Sequence, residues 1–168
     1  NIRSVSATTT STACGVGPWG RADGSLDAAR FSGSMYAIDV SEPIASLIVA
    51  DSDNHRVRAI NTMTSAVSTV AGDGSSTQEG YSPKPLATLA NGFVAYTNGW
   101  QSQIRLYDLA ASNTVLAGTQ SATTYLDHPT GTMARFRSVD CLQGDQLGNL
   151  YAGDTNRVRL IAPGGTNA

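Results

Sequence analysis

The hydrophobic positions of this chain come in short bursts separated by polar and glycine-rich stretches. Leu47-Ile48-Val49-Ala50 and Leu150-Tyr151-Ala152 are compact apolar runs of the length of a buried strand. Each leads into a polar segment, Asp51-Ser52-Asp53-Asn54 or Asp154-Thr155-Asn156, of the kind that closes a hairpin. Beyond the turn the pattern becomes alternation. Val57 and Ala59 point one way, and Arg56, Arg58 and Ile60 point the other. The pattern predicts strands throughout.

The bursts also recur. An arginine flanked by apolar or small residues appears in Ile2-Arg3-Ser4, Val57-Arg58-Ala59, Ile104-Arg105-Leu106 and Val158-Arg159-Leu160, the arginines lying 55, 47 and 54 residues apart. A β-prone run ending in a small residue and glycine follows the first three: Ser11-Thr12-Ala13-Cys14-Gly15, Ser68-Thr69-Val70-Ala71-Gly72 and Thr114-Val115-Leu116-Ala117-Gly118. From arginine to glycine the counts are 12, 14 and 13. A third mark, Ala29-Arg30-Phe31, returns 105 residues later as Ala134-Arg135-Phe136. Four short antiparallel strands in about 50 residues is the unit of a β-propeller blade.

Composition agrees with strands and narrows the function. Lys84 is the only lysine among 11 basic residues, and Glu42 and Glu79 are the only glutamates among 13 acidic ones. A chain so poor in the usual helix-surface residues is not expected to be helical. Its Ser, Thr and Gly suit strands joined by turns, and fit a secreted or cell-surface protein. The formal net charge of −2 offers nucleic acid no electrostatic footprint. No apolar run is long enough to insert into a membrane. The 168 residues suffice for one domain.

Asp23-Gly24, Ala29-Arg30-Phe31, Val49-Ala50-Asp51, Asn54-His55-Arg56-Val57-Arg58 and Thr69-Val70-Ala71-Gly72 together resemble the NHL repeat, whose name includes the Asn-His pair. The last unit departs slightly, with Asn156-Arg157-Val158-Arg159 and with Gly153 in the place of Ala50. The middle unit departs further: around Ala95-Tyr96-Thr97-Asn98-Gly99-Trp100 the acidic turn and the Asn-His pair are missing. The resemblance implies an all-β propeller segment of about three four-stranded blades, drawn from a larger ring of the six-bladed type. Residues 1–15 then supply the last two strands of a preceding blade. Residues 16–72 form an NHL-like blade, 73–118 a degenerate one, and 119–168 an NHL-like blade lacking its outer strand. The first residue is Asn1, and the next small-Gly mark would fall past the last residue. The expectation is therefore a stretch of a longer polypeptide, with copies joined head to tail as the competing arrangement.

Candidate chemistry is sparse. The Asp51…Asn54…Arg58 and Asp154…Asn156…Arg159 sets are read as turn-forming side chains with an arginine stem packed along the blade. Asp51-Ser52-Asp53 opens like a calcium loop but lacks the later glycine and bidentate glutamate. His55, His128, Cys14 and Cys141 show no zinc-ligand spacing. Both cysteines are expected to be buried thiols or to pair with other parts of a longer protein. Gly15-Val16-Gly17 and Gly20 have no following lysine to make a phosphate loop. Trp19 and Trp100 fall in loops, where large aromatics anchor partners; with His55 and Arg56 they are the candidate binding residues. No catalytic residue, metal or cofactor is expected.

The leading reading is a non-enzymatic scaffold that binds another protein or its own copies, completed by flanking blades of the same or another chain. The alternative is part of a propeller lyase or hydrolase with metal ligands on innermost strands, where Asp39, Asp140 and Asp145 are the available carboxylates.

Overall fold

A computed structural model describes residues 1–6, 8–75, 82–98, 102–108, 112–145 and 147–162. Among these residues the fold is all-β, in four antiparallel sheets with three short 3-10 turns, and no sheet closes into a barrel. Trp100 lies outside the described residues.

The first sheet is a hairpin of β1 (Ile2–Val5) and β2 (Thr10–Cys14). The second comprises β3 (Gly24–Ser25), β4 (Met35–Ser41), β5 (Ser46–Asp51), β6 (Arg56–Asn61) and β7 (Ala66–Ala71), in the order β3-β7-β6-β5-β4. The third runs β11-β10-β9-β8 through β8 (Leu86–Thr88), β9 (Val94–Thr97), β10 (Ile104–Tyr107) and β11 (Asn113–Ala117). The fourth is three-stranded: β12 (Val139–Gly144), β13 (Leu150–Asp154) and β14 (Arg157–Ile161).

Three apolar layers join neighbouring sheets in chain order. Cys14 of the hairpin packs with Val49, Ile60 and Val67 of the second sheet and with Phe31 in the loop between β3 and β4. Ile48, Ala50, Val57 and Ala59 on its other face meet Leu86, Val94 and Tyr96 of the third. Ala95, Ile104 and Ala117 in turn meet Phe136, Val139, Leu150 and Ile161. Central strand β5 is thus buried on both faces, which is why Leu47–Ala50 reads as an unbroken apolar run.

The small-Gly mark has a physical cause. Ile2, Val57 and Ile104 pair with Cys14, Ala71 and Ala117, and the register shifts between each of them and the following arginine. This repeated bulge turns the outer strand at a buried small residue. The next residue, Gly15, Gly72 or Gly118, then has φ of +83°, +83° or +92°, a region L side chains avoid. One edge contact also joins sheets. The Asp39 carboxylate on β4 accepts hydrogen bonds from Thr88 N (2.8 Å) and Thr88 Oγ1 (3.0 Å) on β8.

Candidate binding surface

Arg58 and Arg159 occupy matching places, and the same set of partners holds each. The Arg58 guanidinium is fully buried, with Nη1 3.0 Å from Asp51 Oδ2 and Nη2 2.6 Å from Asp23 Oδ1. It donates to the carbonyls of Arg30 (3.1 Å) and Ala22 (2.8 Å) and lies 4.9 Å from the Phe31 ring centroid. Arg159 repeats this on Asp154 (3.1 Å), Asp127 (2.5 Å), the carbonyls of Arg135 and Leu126, and the Phe136 ring at 4.5 Å. The planar fork suits such a divided set of acceptors. Sequence reasoning placed the arginine stem along the sheet; the structure also buries its charged head. The aspartates tie distant loops together as well. Asp51 accepts from Ser32 N (2.9 Å) and Asn54 Nδ2 (2.8 Å), and Asp154 from Arg137 N and Ser138 N (both 2.9 Å).

Among the described residues the third sheet lacks this device. Asn98 stands where Asp51 does in the second sheet, one residue past the partner of Ile104. It is buried, and among the described residues neither amide atom has a hydrogen-bond partner. Arg105 turns instead to the Asn113 side chain and carbonyl, both at 3.1 Å.

The other candidate residues are scattered. His55 has φ of +53° at the end of the 3-10 turn Ser52–Asn54, and its Nδ1 accepts from Ser82 N at 3.1 Å. Arg56 reaches along β6 to the Asp73 carbonyl (3.1 Å) and lies over Gly74. His128 Nδ1 accepts from Thr130 N at 3.0 Å, within its own loop.

Grooves of about 370 and 570 Å³ lie between the inner strands β4, β8 and β12. Three of their carboxylates already have partners, and Glu42 lines the larger groove beside them. Asp39 grips Thr88, and Asp140 accepts from the Ser138 hydroxyl at 3.0 Å. Asp145 accepts from Asn149 Nδ2, from the backbone N–H of Leu147 and Asn149, and from the Tyr151 hydroxyl; these bonds, the Asn149 side chain first, hold its carboxyl below the ordinary value. Among the described residues no three His, Cys, Asp or Glu side chains gather as metal ligands.

Trp19 is different. It is 83% exposed, yet one edge of its indole lies against Gly33, where a Cβ would sit 3.1 Å from the ring. Its loop is fastened at the next residue: Asn54 Nδ2 donates to the Gly20 carbonyl (2.6 Å), and Gly20 N donates to the Phe31 carbonyl (3.1 Å). The Arg30 side chain covers Gly17 and Gly20. A large ring is therefore presented to solvent from a loop tied to the Asp51–Arg58 cluster.

The cysteines differ from expectation in one respect. Cys14 is buried, but Cys141 is exposed on β12. A register irregularity between Val139 and Cys141 places the thiol over Gly153, and a Cβ there would collide with its sulfur. This accounts for glycine at 153. Burial pushes the Cys14 thiol above its ordinary value. The fold therefore favours the protonated thiol, and stability falls as pH rises past the unfolded value of about 8.5 towards the higher folded one. Maleimide labelling of folded protein should modify Cys141 quickly and Cys14 only after unfolding. Equal rates for both thiols would contradict this placement.

No protein-family model matches the sequence, and no curated protein is similar to it. Among the solved structures similar to it are two from Bacteroides thetaiotaomicron VPI-5482. One is an auxiliary nutrient binding protein, with a TM-score of 0.62 and 13% identity over 82% of this chain and 35% of that one. The other is a structural-genomics protein of unknown function, with a TM-score of 0.56 and 20% identity over 92% of this chain and 48% of that one. The likeness is one of fold. This chain spans less than half the length of either structure.

Proposed function

We propose that this chain is a run of NHL-like propeller blades from a larger ring of the six-bladed type, and that it serves outside the cell or on its surface as a non-enzymatic, protein-binding scaffold. The blade reading is supported by the recurring sequence marks, the shared bulge and sheets that pack face to face in chain order. In this reading residues 1–15 belong to a preceding blade, and flanking blades of the same or another chain complete the ring. The binding role of the auxiliary nutrient binding protein is compatible with a scaffold, and names no ligand for this chain. The Ser/Thr/Gly-rich composition supports an extracellular setting, and low charge with a single lysine supports a partner other than nucleic acid.

Trp19 carries the proposal. An exposed tryptophan held by its loop loses little freedom on binding, and tryptophan is enriched among residues that dominate interface energies. The first partner to test is a second copy of the chain. Sedimentation equilibrium of the wild type should show mass above 17.4 kDa that rises with concentration. Trp19→Ala should weaken that association about 30-fold with an unchanged β-sheet circular dichroism spectrum. A monomer throughout, indifferent to the substitution, would overturn self-association through this loop.

A further inference from the structure

The inner strands share a position that the arginine clusters do not use. Ile38, Leu86 and Leu142 stand at one register: they pair with Val49, Tyr96 and Ala152, which in turn face Arg58, Arg105 and Arg159. Two residues before them come Tyr36, Lys84 and Asp140. One repeated position therefore carries an aromatic ring, an ammonium and a carboxylate in three successive sheets, and all three line the groove of about 370 Å³. That volume is within the range of small-ligand sites. Pro85, Leu86 and Leu142 give the groove an apolar wall. Lys84 is the only lysine of the chain, and β8, which it precedes, packs against β4 on one side and β12 on the other. The middle of the groove is thus built wholly within the chain, away from both its ends.

The two charges in the groove do not neutralise each other. Among the described residues neither Lys84 nor Asp140 takes part in a salt bridge. Lys84 Nζ lies over the Tyr36 ring, 5.3 Å from its centroid. Asp140 spends Oδ1 on the Ser138 hydroxyl and keeps Oδ2 for another donor. A cation and an anion held apart beside an apolar wall are complementary to a dipolar ion with an apolar body. We propose that this groove binds an α-amino acid with an apolar side chain. The ligand carboxylate meets Lys84, its ammonium meets Asp140, and its side chain lies along Pro85, Leu86 and Leu142. Tyr36 positions the Lys84 ammonium through the cation–π contact. This goes beyond the scaffold reading, since it gives the inner strands a small-molecule ligand and makes no use of Trp19.

The probe is L-leucine, titrated into the full 168-residue chain and followed by two-dimensional amide NMR. The expected result is saturable shifts at one leucine per chain, centred on the amides of Tyr36, Leu86 and Asp140. Lys84→Met and Asp140→Asn should each weaken leucine binding about tenfold, the scale of one charge-assisted bond at a partly exposed site. Two analogues assign the roles without relying on any variant. Both 3-methylbutylamine, which lacks the carboxylate, and 4-methylpentanoate, which lacks the ammonium, should bind the wild type about tenfold more weakly than leucine. The amine should lose nothing further in Lys84→Met, and the acid nothing further in Asp140→Asn. Absence of saturable shifts overturns the proposal, and so does either analogue binding the wild type as tightly as leucine. Protein association through the Trp19 loop is read separately by sedimentation, so failure here and failure of the scaffold reading are distinguishable.

Discussion

Arg58→Met is expected to cost about 3–5 kcal/mol of folding stability, because it removes one side of a buried ion pair and leaves the other in place. Asp51 is completely buried, and its Oδ2 would keep only Asn54. The Arg30 carbonyl would lose its donor at the same time, and the Ala22 carbonyl would keep only the Arg30 N–H. Methionine matches the aliphatic stem, so packing against Phe31 is largely retained and the loss reports the charged head. In thermal unfolding the midpoint should fall on the order of 10 °C for a domain of this size. Arg159→Met should cost less, because one of its two carboxylates, Asp127, already stands in solvent. Equal losses at the two positions, or a loss below about 1 kcal/mol at Arg58, would mean that the cluster behaves like a surface ion pair.

The second large effect belongs to Gly72. A Cβ there would fall on the His55 carbonyl oxygen, with the His55 carbonyl carbon at 3.1 Å and Arg56 Cα at 3.2 Å. All three neighbours are backbone and cannot rotate away. Gly148 offers a matched control, since its φ of +85° is close to the +83° of Gly72 but its Cβ would meet nothing. Gly148→Ala should therefore show only the left-handed conformational cost, about 1–2 kcal/mol. Gly72→Ala should show that cost plus about 1–3 kcal/mol for the collision. Denaturation midpoints of the two variants measure the difference directly. Similar losses at both sites would remove the close approach as the reason for glycine at the end of the outer strand.

The sequence marks and the structure meet at particular atoms. Arginine and glycine recur 12 to 14 residues apart because the hairpin folds one strand beside the next and the bulge brings small-Gly opposite the residue before the arginine. Alternation around Val57 was legible for the same reason: each face of β6 meets a different apolar layer. The destination of the arginine head was harder to read. Its partners Ala22, Asp23, Arg30 and Phe31 lie 27 to 36 residues upstream, in loops whose course no local pattern reveals. Ala29-Arg30-Phe31 was the available signal, since it recurs only in the two units that bury their arginine this way. Exposure of Cys141 escaped because it follows from a register irregularity and from glycine across the strand pair. The short strand β3 escaped too: two residues, Gly24 and Ser25, carry no alternation. Trp19 was visible as a loop aromatic, but its seat on Gly33, 14 residues on, required coordinates.

Every group that holds Arg58 comes from residues 22–51, and every group that holds Arg159 from residues 126–154. Neither cluster borrows from a neighbouring unit. A tandem duplication of one coding segment would therefore carry the complete fastening with it, and the new copy would need no co-adaptation next door to fold. Decay can be equally local. The unit around Asn98 carries asparagine where those on either side carry aspartate. A lineage built this way can lengthen, shorten or erode one unit at a time.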